Sequence, residues 1–400
     1  MNRSMHVDRL LITLLLILAT TVHAESQSSP PTDRTKTFGS SLTRDPKQST
    51  STISEDTETI RVETNLVVSN VLVLNDKGSA ILGLTKNDFV VTEDGVSQSV
   101  ELFANTDGKP VPRSIILIVD YSGSIDPFFA RGLAGAKALI GRLGAQDKMA
   151  IVTDDVSLIC DFTNDRTKLN AAIDSVTRNV KEKKHGNSFQ YSALMATLRE
   201  LIGVEDLRPI IIFQTDGDEA VFLRSPDYKA TAKRFWDSPR LWMKERTFSF
   251  EDVRDALERS RVTLYNVIPG IRFAGRTGED LGKAADIDNQ EAFFAKGLMW
   301  NPKDLKSKQV EIDWRIFTQN RLLELGNLSG GYTEFLQRPE DADEIYTRIL
   351  KTIDNRYVLG YYPEKKTGEP KRRSVKIEVK GHPEFIVIGR KTYLPAIESP

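Results

Sequence analysis

The chain has 400 residues, is 40% hydrophobic, and carries a formal net charge of −1 from 55 basic and 56 acidic side chains. That length and apolar content are enough for more than one core, so two domains are expected. The balance of charge, with no long like-charge run, excludes nucleic acid as the main partner, and the single cysteine, Cys160, excludes an internal disulfide.

At the N-terminus Arg3 and Arg9 precede an apolar run from Leu10 to Leu18, and Val22-His23-Ala24 offers small residues for cleavage. This is the arrangement of a secretory signal peptide over 1–24, so the protein is expected to be exported, to the periplasm or the outside. The run is short for a membrane helix, and an uncleaved N-terminal anchor is the alternative. No later segment is long and apolar enough to span a membrane. Residues 25–57 are rich in Ser, Thr and Pro and nearly free of aromatics, which predicts a flexible linker.

Residues 58–107 change character. Leu66, Val68, Val71 and Val73 lie among polar residues, Asn75-Asp76-Lys77-Gly78 is a turn, and Glu93-Asp94-Gly95 reads as a hairpin tip. From 110 to 353, aliphatic strands and amphipathic helices alternate, as a doubly wound, mostly parallel α/β sheet requires. The strands are expected at 114–119, 149–152, 156–160, 210–213 and 262–268, and Cys160 is read as a small buried hydrophobe in the third of them. Helices are expected at 128–143, 169–176, 191–201 and 250–260, with closing helices around Leu322–Leu325 and Ala342–Ile353. The charged stretch 272–310 is longer than such a fold needs and reads as an insertion near the same edge, whose Phe293, Phe294 and Trp300 either pack it onto the domain, the favoured reading, or contact a partner. Residues 354–396 return to strand patterns, in Tyr357-Val358-Leu359-Gly360-Tyr361, Val375–Val379 and Phe385–Ile388. The two flanking β segments are expected to pack as a small sandwich with the α/β domain inserted between them.

Three segments carry chemistry. The buried run Ser114–Val119 ends in Asp120-Tyr121-Ser122-Gly123-Ser124, and Ile210–Phe213 ends in Gln214-Thr215-Asp216-Gly217. Between them, Gly186-Asn187-Ser188 opens a helix. In open α/β sheets, ligands bind at the carboxyl ends of the strands. Carboxylates and hydroxyls, with no imidazole or thiol among them, suit Mg2+, Ca2+ or Mn2+ and suit zinc poorly. A lone D-x-S-x-S is weak evidence; two strand-Asp elements and a hydroxyl loop at one edge are stronger. Asp126, Asp218 and Glu219 read as surface or supporting groups rather than ligands, and Lys181–His185 reads as a solvated loop face.

On these residues the chain resembles the von Willebrand factor type A domain, whose metal-ion-dependent adhesion site has the pattern D-x-S-x-S, a threonine, and T-D-G. Asp120, Ser122 and Ser124 match the first element and Asp216 the last, while Ser188 stands in the threonine position with its hydroxyl kept and a methyl lost. Gly83-Leu84, Asp88-Phe89 and Glu93-Asp94-Gly95, with Tyr357–Pro363 and Arg390–Tyr393, resemble an exported bacterial family related to that domain. The resemblance covers nearly all of the chain after residue 58 apart from 272–310. It implies a divalent cation, Mg2+ or else Ca2+ or Mn2+, held by Asp120, Ser122, Ser124, Ser188 and Asp216. It also implies an open coordination position for an Asp or Glu carboxylate from a protein partner, and hence metal-dependent adhesion.

Two other classes remain open at this point. A structural envelope scaffold with a vestigial site would show the same sequence. An enzyme is not expected. Ser122 stands where an aspartyl phosphotransferase needs a second carboxylate. Only His185 and His382 remain after the leader for a hydrolase, and phosphate and dinucleotide fingerprints are absent. Metal-assisted hydrolysis is the least implausible activity.

Overall fold

The computed structural model describes residues 34–42, 66–105, 112–123, 125, 129–203, 208–219, 248–275, 305–363 and 371–395, with backbone alone at 305–312. All of them fall in one compact unit, Arg34–Pro400. The leader at 1–24, most of the linker at 25–57, Ser124, Asp126, and 276–304 with Phe293, Phe294 and Trp300 lie outside the described residues.

Within the stretch expected to be a flexible linker, residues 34–42 are held against the α/β domain. Arg34–Thr37 (α1) and a 3-10 turn at Ser40–Leu42 bring Phe38 and Leu42 onto its core. The Glu200 carboxylate accepts the Gly39 and Ser41 amides, each at 2.9 Å, and Arg34 donates to Asp161 at 2.9 Å. Two isolated apolar side chains and one carboxylate aimed at free backbone donors are what composition alone could not register.

The flanking β segments interleave strand by strand. Val67–Leu74 (β1), Phe89–Glu93 (β2), Val96–Gln98 (β3) and Leu102–Ala104 (β4) come from the first. Tyr357–Tyr361 (β11), Arg373–Val379 (β12), Ile386–Ile388 (β13) and Thr392–Tyr393 (β14) come from the second. They form two antiparallel four-stranded sheets, β13-β1-β11-β4 and β14-β12-β2-β3. Inward residues such as Val71, Val73, Val91, Leu359 and Val375 share one core, with Phe89 and Tyr357 rings 5.2 Å apart. Glu93 is buried there, yet Tyr361 and Tyr393 donate to it and Arg373 neutralises it, as burial of a charge demands.

In the α/β domain, Ser114–Val119 (β5), Lys148–Thr153 (β6), Ser157–Thr163 (β7), Ile210–Gln214 (β8), Thr263–Pro269 (β9) and Thr333–Leu336 (β10) make one sheet. Its order is β10-β9-β8-β5-β6-β7, parallel throughout except for β7 against β6. The aliphatic runs of β5, β6, β8 and β9 are buried because helices cover both faces. Phe129–Gly141 (α2), Arg166–Lys181 (α3) and Ala342–Asp354 (α7) cover one face; Gln190–Glu200 (α4), Phe250–Arg259 (α5) and Leu305–Leu328 (α6) serve the other. The α3 helix begins where Asp165 accepts the Thr167 and Lys168 amides, and it buries Leu169, Ala172, Ile173 and Val176, the 3.6-residue stripe. Cys160 is half-buried on β7.

Two features differ from the sequence expectation. Helix α6 runs for 24 residues, roughly 36 Å, so 305–310 belong to it and not to an insertion. The loop after β9 is pinned to it, because the Gln319 side-chain oxygen accepts the Phe273 and Ala274 amides at 2.8 and 3.1 Å.

Neighbouring strands β5 and β8 are where the chain order reverses. Their carboxyl ends stand level, since Val119 pairs with Gln214 and the Asp120 amide donates to the Gln214 carbonyl at 2.9 Å. That reversal opens the crevice in which this architecture binds ligands.

Candidate metal centre

Asp120 is the first residue beyond β5 and is fully buried. One carboxylate oxygen accepts the Ser122 amide at 2.9 Å and the Ser122 hydroxyl at 2.6 Å. The other accepts the Gln190 side-chain amide at 2.9 Å and the Thr215 hydroxyl at 2.7 Å. Burial, reinforced by the negative charge of Asp216, pushes the Asp120 carboxyl up to about 6 against the lowering pull of Ser122 and Thr215.

Asp216 follows β8 through Thr215, whose hydroxyl also accepts the Gly217 amide at 2.9 Å. One Asp216 oxygen accepts the Asp218 amide at 2.9 Å, and the other accepts Arg315 of α6, also at 2.9 Å. Arg315 lies 3.7 Å from Asp218, which takes a hydrogen bond from the Trp314 indole at 2.8 Å.

Ser188 sits in the loop before α4 with φ of +55°, a left-handed backbone that a non-glycine residue adopts only when its surroundings hold it. What holds it is Asp154, buried just beyond β6. Its carboxylate accepts the Ser188 amide at 2.9 Å and the Tyr121 amide at 3.1 Å, tying the Ser188 loop to the Asp120 loop. A Cβ at Gly186 would overlap that carboxylate, so glycine is required for the close approach. Burial and the Asp120 charge hold the Asp154 carboxyl well above the usual range.

The structure thus brings Asp120, Ser122 and Asp216 to adjacent strand ends, with Ser188 in the loop beside them; Ser124 lies outside the described residues. Three further residues, Asp154, Gln190 and Arg315, were not anticipated. Asp154 carried a readable signal, since Thr153-Asp154 repeats the pattern of aliphatic strand followed by Asp. Gln190 carried none; its side-chain oxygen is buried with no hydrogen-bond partner among the described residues. Arg315 lay outside every recognised motif. Glu219, expected at the surface or in support, is buried and accepts the Tyr191 amide at 2.6 Å at the start of α4. There it serves the free N–H groups of a helix N-terminus, while burial pushes its carboxyl up to about 8.

These donors suit a hard cation in kind: carboxylate and hydroxyl oxygens, an unsatisfied amide oxygen, and buried acids whose ionisation burial resists. Among the described residues no three carboxylate, imidazole or thiolate groups surround a common point. A cation here would therefore draw on the Ser122 and Ser188 hydroxyls and on water as well as on Asp120 and Asp216.

The raised carboxyls set a pH dependence. For Asp120 and Glu219 the folded state binds its proton more tightly than the unfolded chain, so their contribution to stability is fullest at low pH. It is lost as pH rises through about 6 and about 8. Asp147, held low by Arg113, acts in the opposite sense below pH 4. Urea unfolding without divalent cation is expected to show stability falling between pH 5 and pH 8, by at most about 1.4 kcal/mol per pH unit per group. Glu219→Gln should flatten that slope; a wild-type stability that rises over the range would contradict the assignment.

No family model matches the chain, and no curated protein sequence matches it. Solved structures similar to it include an aerotolerance-related membrane protein from Bacteroides fragilis, 12% identical with a TM-score of 0.33, over 60% of this chain and 98% of that one. A von Willebrand factor type A protein from Catenulispora acidiphila is 11% identical, TM-score 0.35, over 84% and 74%. Manganese-loaded TRAP protein from Plasmodium vivax is 13% identical, TM-score 0.31, over 76% and 98%. At such identities and TM-scores these likenesses carry no argument. The α/β domain is itself a doubly wound, mostly parallel sheet with a crevice at the β5–β8 switch point, the architecture that the sequence resemblance to the von Willebrand factor type A domain implied.

Proposed function

We propose that this chain is an exported binding protein and not an enzyme. Its α/β domain holds Mg2+, or else Ca2+ or Mn2+, at Asp120, Ser122, Ser124, Ser188 and Asp216, and through that ion takes the carboxylate of an Asp or Glu on a protein partner. The observation that supports this reading is the meeting of Asp120 and Asp216 at the switch point, with hydroxyls beside them and burial resisting the ionisation of Asp120. When bound, the cation supplies that charge and a directional position for one more oxygen. The residues of the chain do the rest: Asp154 and Gly186 set the Ser188 loop, and Thr215 and Gln190 fix the Asp120 carboxylate. His185 and His382 are both exposed, the hydrogen bond at His382 goes to Glu384, and among the described residues neither is bonded to a hydroxyl or thiol.

A scaffold that binds no cation is favoured by one observation, the Arg315 guanidinium already seated on Asp216. The two readings separate in a binding experiment. The full chain, panned against peptides carrying a single Asp or Glu, is expected to retain a subset with Mg2+ and to release it with chelator. Binding that survives the chelator, or persists equally in Asp216→Asn, would contradict cation-mediated capture.

A further inference from the structure

Asp216 is offered two cations. One is the divalent ion of the proposed function, on which this inference rests; the other is Arg315, built into the chain. The Arg315 and Asp216 side chains are 9% and 10% exposed and meet at 2.9 Å. In so dry a contact a guanidinium and a carboxylate depend on each other, because either left alone is a buried unpaired charge. A divalent ion sharing the same oxygen would face the guanidinium at short range in a low dielectric, where like charges repel strongly.

We infer that Arg315 is an internal counter-ion which a divalent cation must displace from Asp216. Leu322 and Leu325 are buried in the domain core and the Leu322 carbonyl accepts Asn266 at 2.6 Å, which anchors the C-terminal half. Upstream of Gln319, α6 meets the site loop through the Arg315 ion pairs and the Trp314 hydrogen bond to Asp218, while Trp314 and Phe317 also pack against the domain core and Thr318 is fully buried. A small cavity bounded by Asp216, Ile268, Phe273, Arg315 and Gln319 adjoins the pair. Coupling of this kind is reciprocal: whatever Arg315 costs the cation in affinity, the cation costs the helix in attachment. Trp314, one residue away and bonded to the same loop, reports the change.

The test uses Mg2+ as the probe and the full chain as wild type, Arg315→Gln, Arg315→Lys and Trp314→Phe. Arg315→Gln is expected to bind Mg2+ about tenfold more tightly than wild type, the scale of one charge-assisted hydrogen bond lost by the competitor. Mg2+ should change the tryptophan emission of wild type, and Trp314→Phe should lack that change. Arg315→Lys, which keeps the charge without the planar fork, should fall between wild type and Arg315→Gln, and it carries the prediction if the glutamine variant does not fold. Equal Mg2+ affinity in wild type and both Arg315 variants overturns the counter-ion role and leaves the metal reading standing. Absence of Mg2+ binding in all of them overturns the metal reading and the counter-ion role with it.

Discussion

Gly331→Ala is expected to lower stability by about 3 kcal/mol, near the upper end for overpacking. Gly331 lies between the end of α6 and β10, and a Cβ there would run into the backbone carbonyl of Leu264 on β9. The obstacle is main chain inside a parallel sheet, so no side-chain rotation relieves it. The same turn is tied by the Gly331 amide to the Gly326 carbonyl at 2.9 Å and by the Ser329 hydroxyl, which accepts the Leu264 amide at 2.9 Å. Relief therefore requires moving β10 or the helix that carries Arg315. Gly141→Ala is the control: nothing lies within 4 Å of a Cβ at Gly141, the last residue of α2, and that substitution should be neutral or slightly stabilising. Urea midpoints of the two variants check the contrast, and similar values would show that the β9–β10 turn is looser than described.

The parts of this fold that were legible in the sequence are those set by local pattern. Ser114–Val119, Ile210–Gln214 and Thr263–Pro269 are runs of large apolar residues long enough for strands and too short for helices, and they form the buried centre of the sheet. Leu169, Ala172, Ile173 and Val176 mark α3 by spacing alone. In β12 the outward Ser374 and Lys376 alternate with buried Arg373, Val375 and Val379. Asp120 and Asp216 were placed because a strand's end is a fixed point, and the residue after it has a known address.

What escaped is what depends on partners distant in sequence. Helix α6 carries charged residues through much of its length, and its extent shows only against the sheet. Glu219 was read as a surface or supporting group; which of the two depends on the first amides of α4, which need an acceptor there. Phe38 and Leu42 are two apolar residues in a Ser-rich stretch, and their burial depends on a surface made by β7 and α4. Gln190 and Arg315 have no motif at all. Each is defined by the carboxylate it meets, 70 and 99 residues away along the chain.

Asp120→Asn is expected to abolish divalent-cation binding while leaving the fold intact. An amide keeps the size of the side chain and one acceptor oxygen for Ser122, but it removes the negative charge that a hard cation needs. Because burial resists ionisation of Asp120, losing the charge should leave stability unchanged or higher above pH 6 in the absence of cation. A variant destabilised at pH 7.5 would show instead that the ionised Asp120 and its four donors sustain the loops around it.

Calorimetric titration of Mg2+ into the full chain at pH 7.5, beside Asp120→Asn and Asp216→Asn, is the direct measurement. Saturable binding by wild type, with a thermal midpoint that rises with Mg2+, and its loss in both variants with unchanged circular dichroism, is the predicted result. Neither heat nor midpoint shift at millimolar Mg2+, or binding that persists unaltered in both variants, would contradict a cation site at the β5–β8 switch point.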